Sequence, residues 1–256
     1  MILTLDHVVI AVDNLDQAIQ DYEALGFTVL RGGVHANRAT HNALIAFSDG
    51  TYIELLAHTG EDPLPGMIDF SQMLNHGEGL AGFALRTYNL EAEAQRMKQA
   101  GFVVGEVVEG SREKEGRVMR WKLALIEDSF APFLIQDVTP RTWRVPDDPQ
   151  YVTHMNHAVG IPAVEFAVRD IRASWDRFTR LIGESPETPT SDYRTVGPIV
   201  LRQSSALASK YPLDERPDYP KPFAVHLARE ETNNEAFTPE RTHGVYFQHV
   251  TGIPPE

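Results

Sequence analysis

The sequence predicts an α+β protein assembled from repeated βαβββ modules. One signal is a recurring order: an apolar strand, an Asx cap, a one-sided helix and a glycine stop appear three times. A second is spacing, since cap and stop lie 12 residues apart in two copies, Asn14 to Gly26 and Asn89 to Gly101, and 13 apart in the third, Asp170 to Gly183. The third lies beyond the glycine stop. After each of the first two helices come further strand-like runs that complete the module.

In the first copy, Leu5 to Val12 is short, mostly apolar and rich in β-branched residues, which predicts a largely buried strand. Asn14 caps a helix whose Leu15, Ala18, Ile19, Tyr22 and Leu25 fall on one face. Strands are expected over Phe27 to Leu30, Ala43 to Phe47 and Tyr52 to Ala57, with Asp49-Gly50 turning the last pair. The second copy has Leu80 to Leu85 as strand, then Leu90, Ala94 and Met97 as the helix stripe. Phe102 to Val108, Val118 to Ile126 and Phe133 to Val138 come next as strands.

The third copy has Ala163 to Val168 as strand and Ile171, Ser174, Trp175, Phe178 and Leu181 as helix face. It then degrades. Pro198 to Gln203 is strand-like, whereas Pro186, Pro189 and the run Tyr211 to Pro222 read as loop. Phe223 to Ala228 and Gly244 to Val250 are final strand candidates. The expected organisation is therefore paired modules over 1–138, a proline-bearing connection over 139–162, and an incomplete third module with trailing strands over 163–256.

Composition narrows the chemistry. With 42% apolar and 23% charged residues in 256, the chain has the makings of a packed core. There is no cysteine, which removes disulfides, thiol nucleophiles, iron–sulfur clusters and thiolate zinc sites. Any metal must be held by His, carboxylate, amide or water. A net charge of −13 repels phosphate backbones, so nucleic acid is not an expected partner. Met1 to His7 lacks a basic region and Asp6-His7 breaks its apolar run, so no signal peptide is expected there. With no long uncharged apolar run, the expectation is a cytoplasmic protein without membrane spans.

The module order, Leu5-Asp6-His7-Val8 and Tyr52-Ile53-Glu54-Leu55-Leu56 together resemble the vicinal oxygen chelate superfamily. His35 with Thr40-His41-Asn42-Ala43-Leu44, and Gly110-Ser111-Arg112 followed by Gly116 and Arg120-Trp121, resemble its glyoxalase-like family. The likeness covers residues 3 to 138 and, less closely, Ala163 to Gly183. It implies that two modules curve into a cup, helices outside, with a site on the concave face. That superfamily holds lyases, isomerases, epimerases, ring-cleaving dioxygenases and drug-sequestering proteins, so it does not fix an activity.

Where such relatives bind metal, ligands come from the first and last strands of each module. Carried over, the first module offers His7 and Glu54. Alternation agrees: Val8, Ile10 and Val12 would face the helix, and His7, Val9 and Ala11 the cup. In the second module the match to His7 is Gly82, which has no side chain, and the match to Glu54 is Gln136. A register slip of one residue would present Asp137 instead. The resemblance thus implies a divalent ion (zinc, nickel, manganese or iron) on His7, Glu54 and Gln136, two good ligands and a doubtful third where three are the usual minimum.

Other candidates are substrate contacts. Arg120, with Lys122, alternates with Met119, Trp121 and Leu123; if the apolar side packs on the helix, the cations face the cup, where Arg120 would clamp a carboxylate or enolate. His35, Thr40 and Asn42 sit at a strand mouth, and Tyr52 and Trp121 supply aromatic surface. Against each stands a plainer reading: a hydrogen-bonded core histidine for His7, a carboxylate paired across the cup for Glu54, an exposed edge for Arg120, an ordered loop for His35, Thr40 and Asn42. Ser111 to Glu115 reads as an exposed hairpin tip, and His154, His157, His226 and His249 read as structural or surface groups.

Three functions are compatible with these features. The first is a small-molecule enzyme, a metal-assisted lyase or isomerase that takes a proton beside a carbonyl, with Glu54 as metal ligand or general base. The second is a metal-free protein that binds or sequesters a small apolar molecule. The third is an oligomerisation module, with the odd third copy completing a cup across a homodimer.

Overall fold

The structure, a computed structural model, describes residues 3–251 apart from 66, 68, 115, 129–130, 184–192, 208–220 and 231–236. Pro186, Pro189 and most of the run Tyr211 to Pro222 lie outside the described residues. The first module is β1 (Thr4–Ala11), α1 (Leu15–Ala24), β2 (Leu30–Val34), β3 (Thr40–Ala46) and β4 (Tyr52–His58). The second is β5 (Gly79–Arg86), α2 (Leu90–Gln99), β6 (Val108–Lys114), β7 (Arg117–Ala124) and β8 (Phe133–Asp137).

Their strands make one eight-stranded sheet in the order β2-β3-β4-β1-β5-β8-β7-β6. β1 runs parallel to β4 and β5 parallel to β8, while β1 and β5 meet antiparallel, so each module repeats the other's pairing about the central seam. The sheet curves until β2 and β6 touch, which nearly closes it into a cup. Predicted caps form: Asn14 accepts from the Gln17 N–H, Asn89 from Ala92 and Asp170 from Ala173, each worth about 1 kcal/mol.

The strands expected directly after each helix begin later. Phe27 instead packs in the core beside Tyr22, and β2 starts at Leu30. Val104 makes only an isolated bridge to Ile126 before β6 starts at Val108. In both modules the residues past the glycine stop plug the space beneath the helix before the chain reaches the sheet.

The expected connection over 139–162 holds α3 (Arg141–Arg144) and α4 (Pro149–Val152) and the first residues of β9 (Ala158–Val168). After β9 come α5 (Ile171–Ile182), β10 (Tyr193–Val196), β11 (Ile199–Gln203), α6 (Ser204–Leu207), β12 (Lys221–Arg229) and β13 (Tyr246–Thr251). They form a second sheet, β10-β11-β9-β12-β13. Its pairings reproduce those of the first: β9 is parallel to β11, antiparallel to β12, and β12 is parallel to β13. β12 and β13, expected only as trailing strands, thus stand where β5 and β8 stand in the first sheet. They are a shortened fourth copy.

One core joins the two sheets. Val8, Ile10 and Ile53 from the helix side of the first sheet share it with Val164, Phe166 and Phe178, and Phe83 meets Phe166 edge-on at 5.8 Å between centroids. The concave side keeps a separate apolar lining built on Val9, Leu56, Trp121, Leu123, Phe133 and Ile135. No helix among the described residues is long and apolar enough to cross a membrane.

Candidate functional site

The site begins with a bulge. In the pairing of β1 with β5 the register shifts between Leu5 and His7, so Leu5 pairs with Leu85 and His7 with Ala84. Leu5 and Val8 both stay in the helix-side core. Asp6 and His7, lying between them, share the concave side, which strict alternation would forbid. Asp6 Oδ1 takes His7 Nδ1 at 2.8 Å. His7 Nε2 then points at Glu54, 3.5 Å from Oε2. Burial would lower the His7 pKa; Asp6 and Glu54 outweigh it and raise it, which favours the protonated ring.

Glu54 lies on β4, opposite Val9 in the parallel register, and shares its face with Tyr52 and Leu56. Its Oε1 accepts from Asn42 Nδ2 at 2.5 Å and lies 3.5 Å from His35 Nε2. Asn42 stands on β3, where it pairs with Leu56, and Thr40 Oγ1 meets His35 Nδ1 at 2.8 Å from behind. Burial alone would raise the Glu54 pKa; His35 and His7 more than offset it and hold the carboxyl well below its usual range. The group is an ionised carboxylate at neutral pH.

Beneath this pair runs an ion network that sequence reasoning missed. Asp6, fully buried, receives Arg144 at 3.2 Å and also Arg141. Arg144 grips Asp137 with Nε at 2.6 Å and NH2 at 3.0 Å, and donates to Tyr52 Oη at 2.7 Å. Burial would raise the Asp6 pKa, but Arg144, His7 and Arg141 bring it well below normal. Both arginines come from the short α3, so the connection supplies the floor of the cup.

The cup contains about 510 Å³ including its open mouth. His7, His35, Asn42, Tyr52, Glu54 and Trp121, all singled out in the sequence, line it. Thr40 is buried behind His35 rather than on the wall. Phe70 and Met73, on a 3-10 turn (Phe70–Leu74) between the modules, close one side. Met73 lies over Gly82, 3.8 Å from where a Cβ would be, so the side-chain-free position facing β1 is covered from above.

Three expectations are corrected. Gln136 sits on the helix side, where Oε1 accepts the Leu90 N–H at 2.8 Å; Phe133, Ile135 and Asp137 take the concave side. Arg120 is exposed and Lys122 reaches Glu91 on α2 at 2.6 Å, because Met119, Trp121 and Leu123 turn into the cup. The cation that β6 and β7 turn inward is Arg112, on β6, which the charge run had suggested to be an exposed tip. Its NH1 donates to Asn42 Oδ1 at 3.0 Å. The remaining histidines stand elsewhere: His154 accepts from the Thr28 N–H and meets the Ala46 carbonyl, and His226 pairs with Glu165 in the second sheet.

The donor set does not fit a resident divalent ion. Among the described residues no three His, Asp or Glu side chains could hold one. His7 and His35 address different oxygens of Glu54 instead of converging on one point, and Gln136 is turned away. Two guanidinium groups, Arg112 and Arg144, line the same space and would repel a dication.

A family model described as a glyoxalase-like domain matches residues 5–182. Comparison with curated proteins returns no match. A hypothetical protein from Staphylococcus aureus superposes with a TM-score of 0.75 at 16% identity, over 98% of this chain and 100% of that one. That likeness extends the shared fold through both sheets. Methylmalonyl-CoA epimerase from Mycobacterium tuberculosis matches at 25% identity and a TM-score of 0.39, over 52% of this chain and 86% of its own. The Streptomyces coelicolor epimerase in complex with 2-nitronate-propionyl-CoA matches at 20% and 0.40, over 54% and 100%.

Proposed function

The chain belongs to the glyoxalase-like family of the vicinal oxygen chelate superfamily, and on that premise we propose that it is an enzyme that removes a proton beside the carbonyl of a small molecule. The observation that carries this is Glu54: an ionised carboxylate facing the cup, held in place by His7, His35 and Asn42. The C–H bond breaks, its proton passes to a Glu54 oxygen, and its electron pair forms the new C=C bond as the carbonyl π pair moves onto oxygen. Return of the proton from Glu54, or of the one on His7, to either face or to the neighbouring carbon gives an epimer or an isomer. If a leaving group sits one carbon further on, its expulsion makes the same step a lyase.

A carboxyl held so low is a weak base, so most of the driving force must come from stabilising the oxyanion. His7, whose protonated form its two carboxylate neighbours favour, and Arg112 are the groups placed to do that. No step is assigned to a metal. The rival reading, a carrier, is favoured by the apolar walls of Val9, Leu44, Leu56, Leu123, Phe133 and Ile135.

Proton NMR in deuterium oxide separates the two. Small carbonyl compounds are incubated with the protein and with Glu54→Gln, and loss of the carbon-bound proton is followed. Catalysed exchange that falls by about two to four orders of magnitude in Glu54→Gln supports the enzyme. A ligand that binds without exchange in either protein is the carrier's result.

A further inference from the structure

Arg112 is a buried cation that makes no ion pair among the described residues. It is 6% exposed, and its Nε finds no partner. NH1 donates to Asn42 Oδ1 at 3.0 Å, and NH2 has only long contacts, 3.5 Å to the Arg144 carbonyl and 3.9 Å to Met119 Sδ. Among the described residues no carboxylate oxygen lies within 4.0 Å of it. Arg144, a few ångströms behind, is by contrast fully engaged by Asp6, Asp137 and Tyr52. Burying a guanidinium unpaired is unfavourable by several kcal/mol, of the order of the pairing it forgoes. The chain nevertheless keeps this one at the wall of its cup.

Glu54, which attracts this cation from across the cup, already has His7 and His35 beside it. Asn42 forms the link: its amide nitrogen donates to Glu54 and its amide oxygen accepts from Arg112. The cation and the carboxylate are therefore one amide apart. An anion on Arg112 places the atoms next to it against Glu54. A guanidinium whose terminal nitrogens are this lightly held suits a planar two-oxygen anion better than a spherical one.

We propose that the substrate is a small monocarboxylate whose carboxylate pairs with Arg112 and whose adjoining carbonyl carbon chain runs past Glu54, with an apolar remainder against Phe70, Met73 and Trp121. This rests on the enzyme reading only for what happens next to Glu54; the anion site stands or falls by itself. Acetate, pyruvate, benzoate and phenylpyruvate are the probes, each beside its uncharged amide or methyl ester, with inorganic phosphate as a further anion. Melting temperature and titration calorimetry are read on the intact chain, on Arg112→Met, on Arg112→Lys and on Glu54→Gln.

The expected result is binding of at least one acid, not of its neutral partner, weakened roughly tenfold or more in Arg112→Met and less in Arg112→Lys. Arg112→Met without ligand is expected to melt no lower than the parent, which shows that the loss is not unfolding. Glu54→Gln is expected to bind the acid at least as well, and acid binding by the parent without any proton exchange would sink the catalytic reading alone. Equal binding of acid and ester, tighter binding of phosphate, no binding of any acid at millimolar concentration, or acid binding unchanged in Arg112→Met overturns the proposal.

Discussion

Tyr52 stacks on His7, their ring centroids 4.3 Å apart and their planes 18° from parallel. The two are partners across the parallel register of β1 and β4, so the sheet itself sets the stack. The phenol oxygen also accepts from Arg144 at 2.7 Å. One residue thus fixes the plane of the imidazole and ties it to the ion network beneath. Phe133 completes the enclosure of His7 from the second module, edge-on at 5.4 Å.

That double role predicts a separable loss. Tyr52→Phe keeps the ring and removes the acceptor of a buried guanidinium, so stability should fall by about 1–3 kcal/mol. Acid binding on Arg112 should change little. Denaturant unfolding beside calorimetry checks both, and a variant that unfolds like the parent would show that Arg144 does not need the phenol.

Asp6 carries a heavier load. It is fully buried and answers His7, Arg141 and Arg144 at once. Asp6→Asn leaves Arg144 with Asp137 as its remaining carboxylate and takes the proton-holding partner from His7. The expected cost is about 3–5 kcal/mol, read by denaturant unfolding. A loss below about 1 kcal/mol would mean the network is not electrostatically tight.

Gly32 is required by the anion site. A Cβ there would lie 1.9 Å from Asn42 Oδ1 and 2.6 Å from Arg112 NH1. Gly32→Ala should displace the amide that joins Arg112 to Glu54, weaken acid binding roughly tenfold and leave the fold standing. Circular dichroism with calorimetry tests it; unchanged affinity would show that the amide can move without consequence.

The pH profile of stability should fall on both sides of neutrality. His7 is raised above its ordinary 6.5, so its pairing is fully stabilising below that value and is lost as pH climbs through the folded pKa. Asp6 and Glu54 are lowered, so their contribution is complete above the ordinary carboxylate range and disappears as pH drops through their folded values. His154 adds to the acid side: burial lowers it to about 4, and the unfolded chain gains its proton near 6.5, so stability declines between those values as pH falls. Melting curves should show the alkaline decline diminished in His7→Gln and the decline from 6.5 to 4 diminished in His154→Gln. An unaltered alkaline limb in His7→Gln would contradict the assignment.

The parts of this molecule written in local patterns were legible in advance. Cap, stripe and stop residues placed α1, α2 and α5, and alternation put His7 and Glu54 on the concave side. The errors share a cause. The inner wall of the cup is itself apolar, so sending the apolar face of β7 to the helix turned Arg120 inward, the reverse of the structure. A bulge breaks alternation without any mark in the residues, which concealed Asp6. Gln136 and Asp137 differ by one step of register, and contacts distant in sequence, the Leu90 N–H on Gln136 and Arg144 on Asp137, decide between them. Arg141 and Arg144 act on a carboxylate 135 and 138 positions away, a relation no window of sequence contains.

The most direct test is a crystal structure of the protein with a bound 2-oxo acid. It should show the carboxylate paired with Arg112 and the carbon beside the carbonyl against a Glu54 oxygen, with His7 facing the same ligand. An acid lying with its carboxylate toward solvent and its apolar end on Arg112, or one seated outside the cup, would contradict the account.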